Sequence, residues 1–180
     1  LLKALEARDF LTEGHCERME RLVVHLGEKL SLPERTINDL SLLAQFHDIG
    51  KVGIRDSILF KTGPLTAEEF DEMKQHSEIG YRIAQSLSDL VPIAGAILKH
   101  HERWDGTGYP IGLKGEEIPL ECRILAIVDA FDAMTNDRPY RRAVPVQQAV
   151  KELERCSGSQ FDPLLVSLFV RMIAEESIIQ

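Results

Sequence analysis

The sequence predicts an all-α fold, a single helical bundle of about seven helices, on three observations. Apolar residues recur at spacings of three and four along most of the chain. Period-two alternation, the signature of a half-buried strand, is nearly absent. Prolines stand where helices start or stop, at Pro33, Pro92 and Pro119.

The first helix is expected from about Glu13 to Leu30, with Leu11, His15, Met19, Leu22 and Leu26 along one stripe, and Pro33 closes it. The second runs from about Glu34 to Asp48, with Ile37, Leu40, Leu43 and Ala44 facing inward; Gly50 is read as its left-handed terminator. Thr66 and Glu69 form a capping box ahead of "EEFDEMKQHSEIG". Pro92 lies in the first turn of "VPIAGAILKHH", Pro119 opens "PLECRILAIVDAFDAMT", and two helices follow near 146–155 and 163–175. Between His101 and Pro119 runs a Gly- and Pro-rich loop in which the glycines read as turn formers. Its interior Trp104, Tyr109, Ile111 and Leu113 predict an ordered, functional loop.

The 180 residues suit one domain over 1–180, and 44% hydrophobic with 28% charged residues is a globular composition. Apolar runs such as "LLVSLF" are too short to span a bilayer, and no basic leader opens the chain, so a cytoplasmic protein is expected. Leu1 falls inside a helix-like run, which reads as a cut from something longer. Three scattered cysteines, Cys16, Cys122 and Cys156, form no CxxC pair and read as reduced thiols. A net charge of -8 argues against a sequence-independent DNA or RNA binder.

Five of the six histidines fall on inward stripes: His15, His47, His76, His100 and His101, with His25 on the surface. A buried polar group costs free energy unless it finds a partner, and one shared metal site satisfies all five. Asp48 adjoins His47, and Asp129 interrupts the otherwise apolar "RILAIVDAF", where a carboxylate needs a counter-charge. Asp132, three residues on, is either a support for a ligating histidine or an exposed helix carboxylate.

"HDIGK", "HSEIG", "HHERWDGTGYP", "DAFDAMTNDRPYR" and "SGSQFDP" occur in this order, and with them the chain resembles the HD-GYP family of HD-domain metal-dependent phosphohydrolases over essentially its whole length. The resemblance implies an HD-type helical bundle, the C-terminal part of a regulatory protein with an N-terminal receiver or sensor domain. It implies hydrolysis of cyclic di-GMP to pGpG, and onward to GMP in some members. Carried over by motif, the metal ligands are His15, His47, Asp48, His76, His100, His101 and Asp129. Lys51 approaches the scissile phosphate, Tyr109 is the tyrosine of the GYP loop, which also offers a surface to protein partners, and Arg138 and Arg141 grip substrate phosphates. Members with three metals carry a glutamate where this chain has Leu11, so two divalent ions are expected, with His15 the least secure ligand. Nitrogen and carboxylate ligands suit iron, manganese, zinc or nickel, and the resemblance points to iron.

The expected mechanism is attack by a hydroxide bridging two cations that share Asp48, with Lys51 stabilising charge on the phosphoryl oxygens. Two competing readings stand beside it: an HD phosphohydrolase of another nucleotide, and a non-catalytic module that senses cyclic di-GMP or docks proteins.

Overall fold

Most of the apolar stripes become buried helix faces, and these helices close around one core. The computed structural model describes residues 14–137 and 142–179, with side chains to 175. Helix α1 (His15–Lys29) buries His15, Met19 and Leu26 of the expected stripe, with Val23 buried where Leu22 is half-buried, and packs on α2 (Glu34–Phe46), which buries Leu40, Leu43 and Ala44. Removing each of the larger apolar side chains from water contributes roughly 1.5–3 kcal/mol.

Helix α2 stops at Phe46, and the chain continues as a 3-10 turn over Ile49–Gly53. Gly50 is therefore not the left-handed terminator expected from the sequence; it is absent from the glycines with positive φ. Its missing side chain serves close approach instead. A Cβ there would collide with the carbonyl oxygen of His76 and stand 2.5 Å from the Gly80 nitrogen.

A single helical turn, α3 (Asp56–Leu59), precedes α4 (Ala67–Lys74). The capping box forms as expected: Glu69 N–H donates to Thr66 Oγ1 at 3.2 Å and Thr66 N–H to Glu69 Oε2 at 2.7 Å. The expected continuous helix through "HSEIG" divides at Gln75, and α5 (His76–Gln85) starts anew. The His76 ring explains the break, because its Nδ1 donates to the Met73 carbonyl at 2.7 Å and caps the end of α4. Helix α6 (Val91–Lys99) follows, with its proline in the first turn.

Helix α7 (Leu120–Thr135) touches α1, α2, α6, α8 (Val146–Arg155) and α9 (Pro163–Ile179). Neighbours on that many sides account for a sequence apolar nearly all round. The long loop is ordered, as expected. Glu102, only 4% exposed, accepts backbone N–H bonds from Ile111 (2.8 Å), Gly112 (3.0 Å) and Leu113 (2.9 Å), while Trp104 and Asp105 N–H donate to the Gln160 and Ser159 carbonyls. Of the glycines read as turn formers, Gly106 takes a positive φ of 84°, whereas Gly108 serves close approach: a Cβ on it would lie 2.6 Å from the His101 carbonyl oxygen and from Glu102 Cα. Among the described residues, no helix is long and apolar enough to cross a membrane.

Candidate metal centre

Three helix ends deliver three histidines by the same local device. At the ends of α2, α4 and α6, the ring Nδ1 of His47, His76 and His100 donates to the carbonyl three residues earlier, at 3.0, 2.7 and 2.6 Å. A carbonyl can only accept, so each Nδ1 carries a proton and each ring turns its Nε2 inward. Helix C-termini also bring partial negative charge, which favours a cation among them.

The inward nitrogens crowd together. His76 Nε2 lies 3.3 Å from His100 Nε2 and 3.1 Å from His101 Nε2. One proton on His101 could bridge a single pair, whereas a cation at the point where the three imidazoles meet would satisfy all of them. The Nε2 atoms of His15 and His47 are buried with no hydrogen-bond partner. Such orphans carry a desolvation penalty of about 1–3 kcal/mol each, and a metal ion removes it.

All seven ligands expected from the sequence fall into two groups. Ligand atoms of Asp48, His76, His100 and His101 lie within 4.8 Å of one another, as do those of His15, His47 and Asp129. Bonds of about 2.0–2.2 Å to a common ion place ligand atoms at most about 4.4 Å apart, so small side-chain movements close either set. His25 belongs to neither group. Asp48 stands between the two sets: Oδ2 is 3.3 Å from His47 Nε2, and Oδ1 is 3.5 Å from His76 Nε2 and 3.8 Å from His100 Nε2. A carboxylate so placed can bridge two ions. The residues present fit a divalent metal centre.

Electrostatics agree with that use. Burial works against the charged form of Asp48, but Lys51, with Nζ at 2.8 Å, and His47 hold its carboxyl well below the usual range. Burial pushes His76 down to about 4 and also lowers His101, so both are neutral and ready to ligate. Burial pulls His47 the same way, yet Asp48 and then Asp129 prevail and raise it to about 9. Metal uptake at His47 must displace that proton.

Asp132 resolves in favour of support. It is 2% exposed, so the exposed-carboxylate reading fails. Its Oδ2 accepts from His15 Nδ1 at 2.6 Å, and its Oδ1 accepts from Arg18 Nε at 2.7 Å and Asn136 Nδ2 at 2.9 Å. This sets the His15 tautomer and aims Nε2 at the cluster. Sequence reasoning missed Arg18, because its partner lies 114 residues away, and Glu102, because the amides it holds lie nine to eleven residues on with no local motif. Replacing Asp132 with alanine is expected to weaken metal binding about 10- to 100-fold, read by competition with a chelator. Asp132→Asn, which keeps an acceptor for His15, should recover part of that loss.

Lys51 reaches the cluster through Asp48, and Tyr109 lies over His101 with ring centroids 4.9 Å apart and planes inclined by 31°. A cleft of about 490 Å³, lined by His100, His101, Tyr109 and Asp129, opens beside the metal ligands. Its size suits a small ligand, for which roughly 300–1,000 Å³ is usual. Arg138, Arg141 and Leu11 lie outside the described residues.

Known proteins share this arrangement of sequence. An HD domain family model matches residues 1–165. The chain is 44% identical over 172 residues to a cyclic di-GMP phosphodiesterase of Thermotoga maritima, covering 94% of this chain and 47% of that protein. It is 42% identical over 173 residues to the cyclic di-GMP phosphodiesterase response regulator RpfG of Xanthomonas campestris, covering 95% and 46%. The chain thus spans just under half the length of these relatives. The crystal structure of a cyclic GMP-AMP-specific phosphodiesterase of Vibrio cholerae superposes with a TM-score of 0.72 at 26% identity, over 96% of this chain and 48% of that one. By motif order, helical architecture and this match, the chain belongs to the HD domain family, in its HD-GYP branch.

Proposed function

We propose that this chain is a metal-dependent phosphodiesterase that hydrolyses cyclic di-GMP to pGpG on a two-ion centre. The observation that carries the reading is the convergence of His76, His100 and His101 Nε2 beside a carboxylate able to bridge, next to a ligand-sized cleft that His100 and His101 line. The names of the relatives supply the substrate class.

Bound divalent ions would supply Lewis acidity toward the phosphodiester and lower the pKa of water. The chain supplies the rest. His76, His100 and His101 with Asp48 would hold one ion, and His15, His47 and Asp129 would hold the other. Lys51 holds Asp48 in its charged form and adds a positive charge for the phosphoryl oxygens. Arg138 and Arg141, on the segment after α7, offer forked donors to the substrate phosphates. They bring positive charge to a protein of net charge -8. Tyr109 forms a wall of the cleft. Iron is the proposed metal.

The test is anaerobic loading with ferrous iron, metal analysis, and chromatography after incubation with cyclic di-GMP. The expected result is two ions per chain and accumulation of pGpG. Three ions would refute the two-metal centre, and unchanged cyclic di-GMP would refute the reaction. Cyclic GMP-AMP belongs in the same assay, because the superposed Vibrio cholerae structure is of an enzyme specific for it.

A further inference from the structure

The cleft wall continues outward from the metal ligands in a series of rings. Beyond Tyr109, Phe70 of α4 meets it edge-on, with centroids 6.3 Å apart and planes at 83°. Lys74, one helical turn further on, places Nζ 5.0 Å from the Phe70 centroid and 5.9 Å from that of Tyr109. Both Phe70 and Lys74 line the same cleft as His101 and Asp129. Phe70 is nevertheless 47% exposed, and among the described residues it is the one aromatic side chain counted with the exposed large hydrophobics.

Nothing in the metal centre requires that ring. Burying it would contribute favourably, since apolar area left in water is worth roughly 25 cal/mol per Å². The backbone beneath it is held firmly on both sides. Glu102 anchors the loop through the amides that follow Tyr109, and the Thr66–Glu69 capping box anchors the start of α4. Such a preformed aromatic surface beside a cation suits a flat, electron-rich partner at little ordering cost.

We infer that Phe70, Tyr109 and Lys74 form a nucleobase subsite, which stacks one base of the substrate and prefers guanine to adenine. The inference rests on the cyclic-dinucleotide reading above and adds which residues read the base. Stacking on aromatic side chains is indifferent to base identity. Selection comes from Lys74. Its ammonium carries three donors, of which one meets Asp71 Oδ1 at 2.6 Å. A remaining donor matches the O6 and N7 acceptors of guanine, whereas adenine presents an N6 donor at the corresponding edge.

The experiment uses the iron-loaded chain and two readouts. In steady-state kinetics, Phe70→Ala should raise KM for cyclic di-GMP about tenfold and leave kcat within about twofold. Phe70→Trp should restore the lower KM. In equilibrium titrations, Phe70→Ala should weaken GMP by a similar factor and leave inorganic phosphate unchanged, while Lys74→Met should erase the preference for GMP over AMP. A fall in kcat as large as the rise in KM, with weaker binding of inorganic phosphate, would mean that Phe70 only props the loop, and unchanged GMP binding in Phe70→Ala would overturn the subsite. Failure of the wild-type chain to cleave cyclic di-GMP while it binds GMP through Phe70 would overturn the proposed reaction and leave the base subsite standing.

Discussion

Asp48→Ala is expected to lose metal binding and the proposed phosphodiesterase turnover together, falling to the level of chelator-treated protein. Among the described residues no other side chain is placed to do both of its tasks. Its two oxygens face opposite sides of the centre, toward His47 on one and toward His76 and His100 on the other. It is also the ion-pair partner of Lys51 at 2.8 Å. Alanine removes the bridging charge and leaves imidazoles gathered around an uncompensated space. Asp48→Asn should fail nearly as badly, since it keeps the shape but loses the negative charge that attracts the ions. Metal analysis after gel filtration, with circular dichroism to verify the helices, decides the matter. Retained metal and retained turnover in either variant would overthrow the mechanism.

Gly50→Ala is expected to destabilise the fold by about 3 kcal/mol or more, a fall in Tm of roughly 6–12 °C for a chain of this size. The added methyl would press on backbone, at the His76 carbonyl and the Gly80 nitrogen, and backbone cannot swing aside as a side chain can. Relief requires the 3-10 turn to move away from α5, which carries Asp48 away from His76. Metal affinity should therefore fall along with stability. Gly95→Ala in α6 is the control: nothing lies within 4 Å of a Cβ there, and its helical position should gain about 0.5–1 kcal/mol. Thermal melts of the two variants with and without metal test both statements, and an unchanged Tm in Gly50→Ala would refute the close-approach argument.

The all-helical class was legible because a three- and four-residue apolar period can bury one stripe per helix and nothing else. Five buried-stripe histidines and two aspartates then implied a shared cation, since their separate burial would be too costly. All seven fall into the two groups described. The sequence by itself could not reveal the break at Gln75 or the role of Gly50. Both depend on a ring capping a carbonyl and on a neighbouring helix arriving in contact. Nor could it choose between the two readings of Asp132, because its partners His15 and Arg18 lie more than a hundred residues away.

What the amino-acid order alone determined is therefore which helix faces turn inward and that the histidines and aspartates on them call for a common partner, for periodicity and desolvation act along a single segment. Only the tertiary structure decided how the ligands divide into two groups, which carboxylate stands between them and which aromatic surface borders them. Those are distances between segments, and local spacing does not encode them.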